Sequence, residues 1–146
     1  MALTPDNGSV FLDDLLAQEQ EAEDTLEPSK TYRLDIENGR IGGLIDGEEA
    51  LRQFITKAIM TARNRYIAYD EDYGCEIHDL LGENITRNLL EAEIPRVLKD
   101  AVEYDDRIER LRIDELRTEK DAVYVVVTAI TSELWEAEEV TVEIAI

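Results

Sequence analysis

An α+β fold is the architecture this sequence predicts: a small, mostly antiparallel sheet of about four or five strands packed with two helical regions and preceded by an acidic N-terminal arm. Three observations predict it. Leu51, Phe54, Ile55, Ala58, Ile59 and Ala62 fall at helical spacing on one face. Asn38-Gly39 lies between two strand-like stretches and is a strong hairpin signal. The last third of the chain alternates apolar and polar residues in steps of two. The 146 residues suit one domain of common size with a single core.

Residues 1–30 carry eight acids (Asp6, Asp13, Asp14, Glu19, Glu21, Glu23, Asp24 and Glu27) and one base, Lys30. With Pro5, Gly8 and Pro28 as breakers, they read as an acidic flexible arm. Within it Val10-Phe11-Leu12 and Leu15-Leu16 have helical spacing, so a short helix over about residues 10–22 could dock on a neighbour. The folded domain is expected over residues 31–146. Tyr32, Leu34 and Ile36 alternate with Arg33 and Asp35 as a half-buried strand, and residues 40–45 return as its partner, loosened at Gly42-Gly43.

Asp46 then reads as an N-cap, with Glu49 placed to bond back in a capping box. The helix that follows carries Arg52, Lys57, Arg63 and Arg65 and no acid between Leu51 and Arg65. This basic stripe either sits against the chain's own carboxylates or forms a docking surface for an acidic partner. Residues 66–77 read as an ordered loop with an extended piece around Tyr66 to Ala68. Asn84 can cap a second helix starting near Ile85, with Leu90, Ile94, Val97, Leu98 and Ala101 on one face, kinked or split at Pro95.

Leu111 and Ile113 belong to a strand, Glu119-Lys120-Asp121 to a turn, and Ala122 to Ile130 to a central strand apolar on both faces. Val140, Val142, Ile144 and Ile146 give the last strand one aliphatic face. Such a strand is either paired inside its own domain or an edge open to another chain. Trp135, just ahead of it, could be a core residue or an interface anchor, and core is the better reading.

The charge of -20, from 35 acids and 15 bases, argues against nucleic acid and anionic membrane surfaces as partners. No apolar run approaches the roughly 20 residues a membrane helix needs, and no secretory leader pattern opens the sequence, so an intracellular location is expected. Cys75 stands alone, which excludes an internal disulfide and a multi-thiolate zinc site. His78 is three residues away, but an ordinary half-buried thiol is the better reading. Asp70, Asp72 and Glu76 miss the EF-hand spacing. Asp72, Glu76, Asp105 and Asp106 could supply the two acids of a glycosidase, yet nothing singles out a carboxylate with a raised pKa. No phosphate loop, dinucleotide glycine pattern, zinc motif or nucleophile elbow is present. The sequence thus contains no recognisable catalytic site and no cofactor motif.

Three pieces in order carry a resemblance. They are the helix Ala50 to Arg65, the loop Asp70-Glu71-Asp72-Tyr73-Gly74, and the corner Asp105-Asp106-Arg107 ahead of an isoleucine-led strand. Together they resemble the sheath-initiator or baseplate wedge family of contractile phage tails, tailocins and type VI secretion baseplates. The version in defective Bacillus prophages and Gram-positive tailocins is the nearest in appearance. The family has Glu-Pro-Arg at the corner; here Asp105 replaces the glutamate and Asp106 the proline, while Arg107 is kept.

The resemblance covers about residues 31–146 and implies a structural protein that joins baseplate to sheath and templates the first sheath ring. It implies sheath protein, baseplate wedge proteins, further copies of itself in a ring and the tail tube as partners. It also implies assembly in the host bacterial cytoplasm before residence in the particle. Asp105 and Arg107 become interface candidates with Arg52, Lys57, Arg63 and Arg65, and with Val140, Val142, Ile144 and Ile146 of the last strand. A small lysozyme-like hydrolase and a generic acidic adaptor are the alternative readings.

Overall fold

The computed structural model describes residues 29–119, 122–132 and 139–146. The helix expected over residues 10–22, Trp135 and most of the 119–121 turn lie outside these residues. Among the described residues eight elements follow in order: β1 (Thr31–Asp35), β2 (Arg40–Ile45), α1 (Gly47–Met60), α2 (Ile77–Gly82), α3 (Arg87–Val102), β3 (Ile108–Thr118), β4 (Val123–Thr131) and β5 (Glu139–Ala145). The α+β class holds. The five strands, however, form two sheets, an antiparallel β1-β2 hairpin and an antiparallel β3-β4-β5 sheet.

The three-stranded sheet turns Ile108, Leu111, Val123, Val125, Val127, Ala129, Val140, Val142 and Ile144 inward. Leu51, Ile55, Ala58 and Ile59 of α1 and Ile94, Val97, Leu98 and Ala101 of α3 meet them in one core. Strand alternation and helical spacing in the sequence therefore describe two halves of one interface. β4 is the central strand, as its apolar run predicts.

Several local expectations change. The hairpin closes through residues 36–39 rather than through Asn38-Gly39 alone, because Asp35 and Arg40 are the last paired residues. Gly39 takes φ of +62°, and both Asp35 oxygens bind Asn38, one on its amide N–H at 3.1 Å and one on its side-chain NH2 at 2.8 Å. The side-chain cap satisfies the wider turn. The expected loosening is present, since the β1-β2 register shifts opposite Gly42-Gly43.

Asp46 caps α1 by accepting from the Gly47 N–H at 2.8 Å and from the Ser29 hydroxyl. These two bonds, Ser29 first, hold its carboxyl below the usual value. Glu49 pairs with Arg33 of β1 instead of closing a capping box. Thr86, not Asn84, caps α3, its hydroxyl accepting from the Leu89 N–H at 3.4 Å. Pro95 neither splits α3 nor ends it. Its missing N–H removes one helical bond, and the apolar contacts on both sides, Ile94 before and Val97, Leu98 and Ala101 after, hold the helix to the core. Residues 66–69 form a turn, with the Tyr69 N–H donating to the Tyr66 carbonyl at 3.2 Å, rather than an extended piece. The short helix α2 has no counterpart in the sequence reading.

Gly74 explains the Asp-Tyr-Gly loop. Its φ is +102°, and an added Cβ would lie 2.8 Å from the Thr61 carbonyl oxygen and 3.1 Å from the Arg63 backbone. That close approach lets the Cys75 N–H donate to the Thr61 carbonyl at 2.8 Å and the Arg63 N–H to the Cys75 carbonyl at 3.3 Å, a parallel bridge between Ala62 and Cys75. Only glycine combines this φ with this contact. Gly74→Ala is expected to destabilise the domain by about 2–4 kcal/mol through backbone strain and overlap, read as a fall in Tm of about 10 °C. An unchanged Tm would contradict this account of the loop.

Candidate protein interface

The sequence-predicted corner lines a cleft of about 610 Å³. One wall is α1, which presents Gln53, Phe54 and Lys57; another is the turn from α3 into β3, with Tyr104, Asp105, Asp106 and Arg107. Tyr73 joins them, and the hairpin supplies Tyr32, Leu34 and Ile41. The hairpin residues share a face because Tyr32 pairs with Leu44 and Leu34 with Ile41.

Arg107 organises the corner. Its Nε and one terminal nitrogen each donate to a different Asp105 oxygen at 2.8 Å, and its backbone N–H donates to Asp105 Oδ1 at 3.0 Å. The guanidinium lies 5.0 Å from the centre of the Phe54 ring, and both charged side chains are only 16% exposed. The shorter aspartate therefore still reaches the arginine, because the two residues share one tight turn in which the Ile108 N–H donates to the Asp105 carbonyl at 2.9 Å. A fixed two-point fork of this kind defines orientation in a way lysine cannot. The end of α3 is also tied to β3, through Glu103 accepting from the Leu111 N–H at 2.8 Å.

The basic stripe resolves into four separate attachments within the chain. Arg52 pairs with Glu48 and donates to the Thr141 carbonyl of β5. Lys57 lies 5.1 Å from the Tyr69 ring centre and 5.5 Å from that of Tyr73, rings that stack at 4.5 Å. Arg63 donates to the Gly74 and Asp100 carbonyls, each at 3.2 Å, and pairs with Glu76 at 3.4 Å. Arg65 pairs with Asp79 at 3.5 Å. Of the four, only Lys57 lines the cleft.

The last strand also differs from the simplest expectation. Val140, Val142 and Ile144 are buried in the chain's own core and Ile146 packs against it, so these side chains are not a surface for another protein. What β5 offers is backbone. Val123 and Ile146 exchange N–H and C=O bonds at 2.9 Å, so in antiparallel alternation Val140, Val142 and Ile144 bond to β4 while Thr141, Glu143 and Ala145 direct their amides and carbonyls away from it. Among the described residues no strand pairs with that outward edge. The bond from Arg52 to the Thr141 carbonyl is the contact described there.

Gln53 escaped the sequence reading. Its amide oxygen accepts from the Leu34 N–H at 2.7 Å and its NH2 donates to the Tyr32 carbonyl at 2.8 Å, so it acts as a one-residue strand that pins β1 to α1. A glutamine off the apolar face of a helix carries no signal of such a role. The aromatic lining was likewise hidden, because Phe54 and Tyr104, 6.2 Å apart edge to face, are 50 residues apart in sequence.

Cys75, His78 and Glu76, three of the groups considered for chemistry, have structural partners. Cys75 is fully buried, its Sγ 3.5 Å from the Val97 carbonyl, and burial pushes its thiol up to about 11. His78 bonds to the Ile59 carbonyl at 3.2 Å. Glu76 lies between Arg63 and Arg96. In the cleft itself burial, with Tyr69 and Tyr104 near, pushes the Tyr73 phenol up to about 12, so this wall carries no phenolate at neutral pH.

The family model of the contractile injection system sheath initiator matches residues 25–134, which takes in the hairpin, all three helices, the Gly74 loop, the Asp105 to Arg107 corner and the β3-β4 pair. The chain belongs to the sheath-initiator family. It is 41% identical over 127 residues to the phage-like element PBSX protein XkdS of Bacillus subtilis strain 168, covering 86% of this chain and 85% of that protein. A sheath-initiator family member is a structural component of a contractile phage tail, part of the particle, and associates with other tail components. The resemblance read from the helix, loop and corner motifs is therefore correct, and β5 lies just beyond the matched stretch.

Proposed function

We infer that this protein joins the baseplate to the sheath and templates the first sheath ring, acting by geometry and without turnover. The observation that carries the reading is the outward backbone edge of β5 on a domain of this family. An extended arm of a sheath subunit would add as a further strand, with main-chain bonds to Glu143 and Ala145 supplying affinity. It would displace Arg52 from the Thr141 carbonyl. The Asp105 to Arg107 corner, rigid and partly open, would face baseplate wedge proteins. Copies of the chain arranged as a ring around the tail tube would present this edge at regular intervals, after assembly in the host cytoplasm.

A glycan-cleaving role fits the cleft less well. A glycosidase sets its two carboxyl groups on either side of the scissile bond. Asp105 and Asp106 are neighbours on one wall, Asp105 is engaged by Arg107, and the hairpin opposite contributes Tyr32, Leu34 and Ile41. Electron microscopy of particles from the native gene cluster lacking this gene tests the reading. Baseplates or tubes without attached sheath, with sheath polymerised separately, are expected; normally sheathed particles would refute it.

A further inference from the structure

The hairpin wall of the cleft is apolar and open. On its hairpin wall Tyr32 is 61% and Ile41 74% exposed, and Leu44, paired with Tyr32 on the same face, is 58% exposed. A two-stranded hairpin is marginal alone, and an apolar face this open, set across from Phe54, Tyr73 and Tyr104, calls for cover. The described chain begins at Ser29 and Lys30, which themselves line the cleft.

We propose that residues 10–16 of the same chain bind this cleft, laying Phe11, Leu12, Leu15 and Leu16 between the hairpin and the Phe54, Tyr73 and Tyr104 wall. As a helical turn these residues form one stripe, because Phe11 and Leu15, and Leu12 and Leu16, are four apart. Twelve residues separate Leu16 from Ser29, and a dozen residues span up to about 40 Å when extended, so the segment can fold back with slack. Charge agrees with this placement. Residues 1–28 hold eight acids and no Lys or Arg, while the cleft sets three cations, Lys30, Lys57 and Arg107, against two carboxylates, Asp105 and Asp106. In a chain of net charge -20 that lining is locally basic. Asp13 and Asp14, beside the apolar stripe, would lie near Lys30 and Lys57.

The consequence is that the segment and any partner of the corner compete for the same cleft. This holds whichever tail protein meets the corner, so it goes beyond the sheath-templating reading and is tested without it.

The experiment uses the full chain with a nitroxide attached at Ser9→Cys and, separately, at Ala17→Cys. Cys75, buried and with its thiol pushed up to about 11, leaves the introduced thiol as the reactive one. Amide signals of Tyr32, Ile41, Lys57 and Tyr104 are expected to lose most of their intensity in both labelled proteins. They should recover in the same proteins carrying Phe11→Asp and Leu15→Asp. Mixing labelled, isotope-free protein with unlabelled, isotope-enriched protein separates the two ways of docking, and no loss is expected there. Undiminished cleft signals in the labelled proteins, or loss appearing equally in the mixed sample, would overturn the proposal. The second result would mean that the segment enters another copy.

Discussion

Glu143→Pro is expected to abolish sheath attachment while leaving the domain folded. Glu143 pairs opposite Val126 at a position whose N–H points away from β4, so proline there removes no bond of the β4-β5 ladder. The fold should lose about 1 kcal/mol or less, and the baseplate should still take up the protein. An incoming strand, by contrast, would lose a main-chain donor partner and meet the pyrrolidine ring. Counting sheathed and bare particles by electron microscopy, alongside thermal melts of the purified variant, checks both halves. Sheathed particles in normal number would remove β5 from the interface.

The contrast with deleting β5 is instructive. Val140, Val142 and Ile144 are each at most 5% exposed. Burying one such side chain contributes about 1.5–3 kcal/mol, and three together rival much of the roughly 5–15 kcal/mol that holds a domain folded. A truncation removing residues 140–146 would therefore unfold the protein and reveal nothing about the edge. The proline substitution separates the two roles of the strand.

Arg107→Ala is expected to cost about 2 kcal/mol or more of baseplate affinity, the range for truncating an arginine anchor at an interface. Within the domain it leaves Asp105 without its fork and Phe54 without its cation, a loss of about 1–3 kcal/mol that the core can bear. Arg107→Lys is the informative companion, because it keeps the charge and loses the two-point geometry. If orientation is the function of this residue, lysine should recover stability more fully than incorporation. Co-sedimentation of each variant with baseplates, read beside its melting curve, gives both quantities; full incorporation of Arg107→Ala would refute the role assigned to the corner.

Much of this molecule is legible in its sequence because its core follows regular periods. The α1 and α3 faces and the inward residues of β5 are readable from spacing, since burial repeats at 3.6 residues on a helix and at two on a strand, whereas register shifts between Ile108 and Arg110 and between Ile113 and Glu115 break that period in β3. The Asp105 to Arg107 corner is readable because its residues are neighbours in the chain. Other features depend on contacts between distant segments. Gln53 bonding to the β1 edge, Arg52 bonding to Thr141, and Gly74 lying against Thr61 all join pieces that no local pattern connects. The division of five strands into two sheets belongs with them, because strand pattern specifies a buried face and not a partner. The basic stripe illustrates a further limit: charge in a sequence shows that a residue needs a partner, whereas the structure shows that Glu48, Glu76 and Asp79 are among those partners.

Cryo-electron microscopy of the uncontracted particle at the junction of baseplate and sheath tests the central claim most directly. The expected map has a strand from a first-ring sheath subunit running beside β5, hydrogen-bonded to the backbone of Glu143 and Ala145, with Arg52 moved off the Thr141 carbonyl. A junction in which the β5 edge faces solvent, or touches only baseplate proteins, would contradict it.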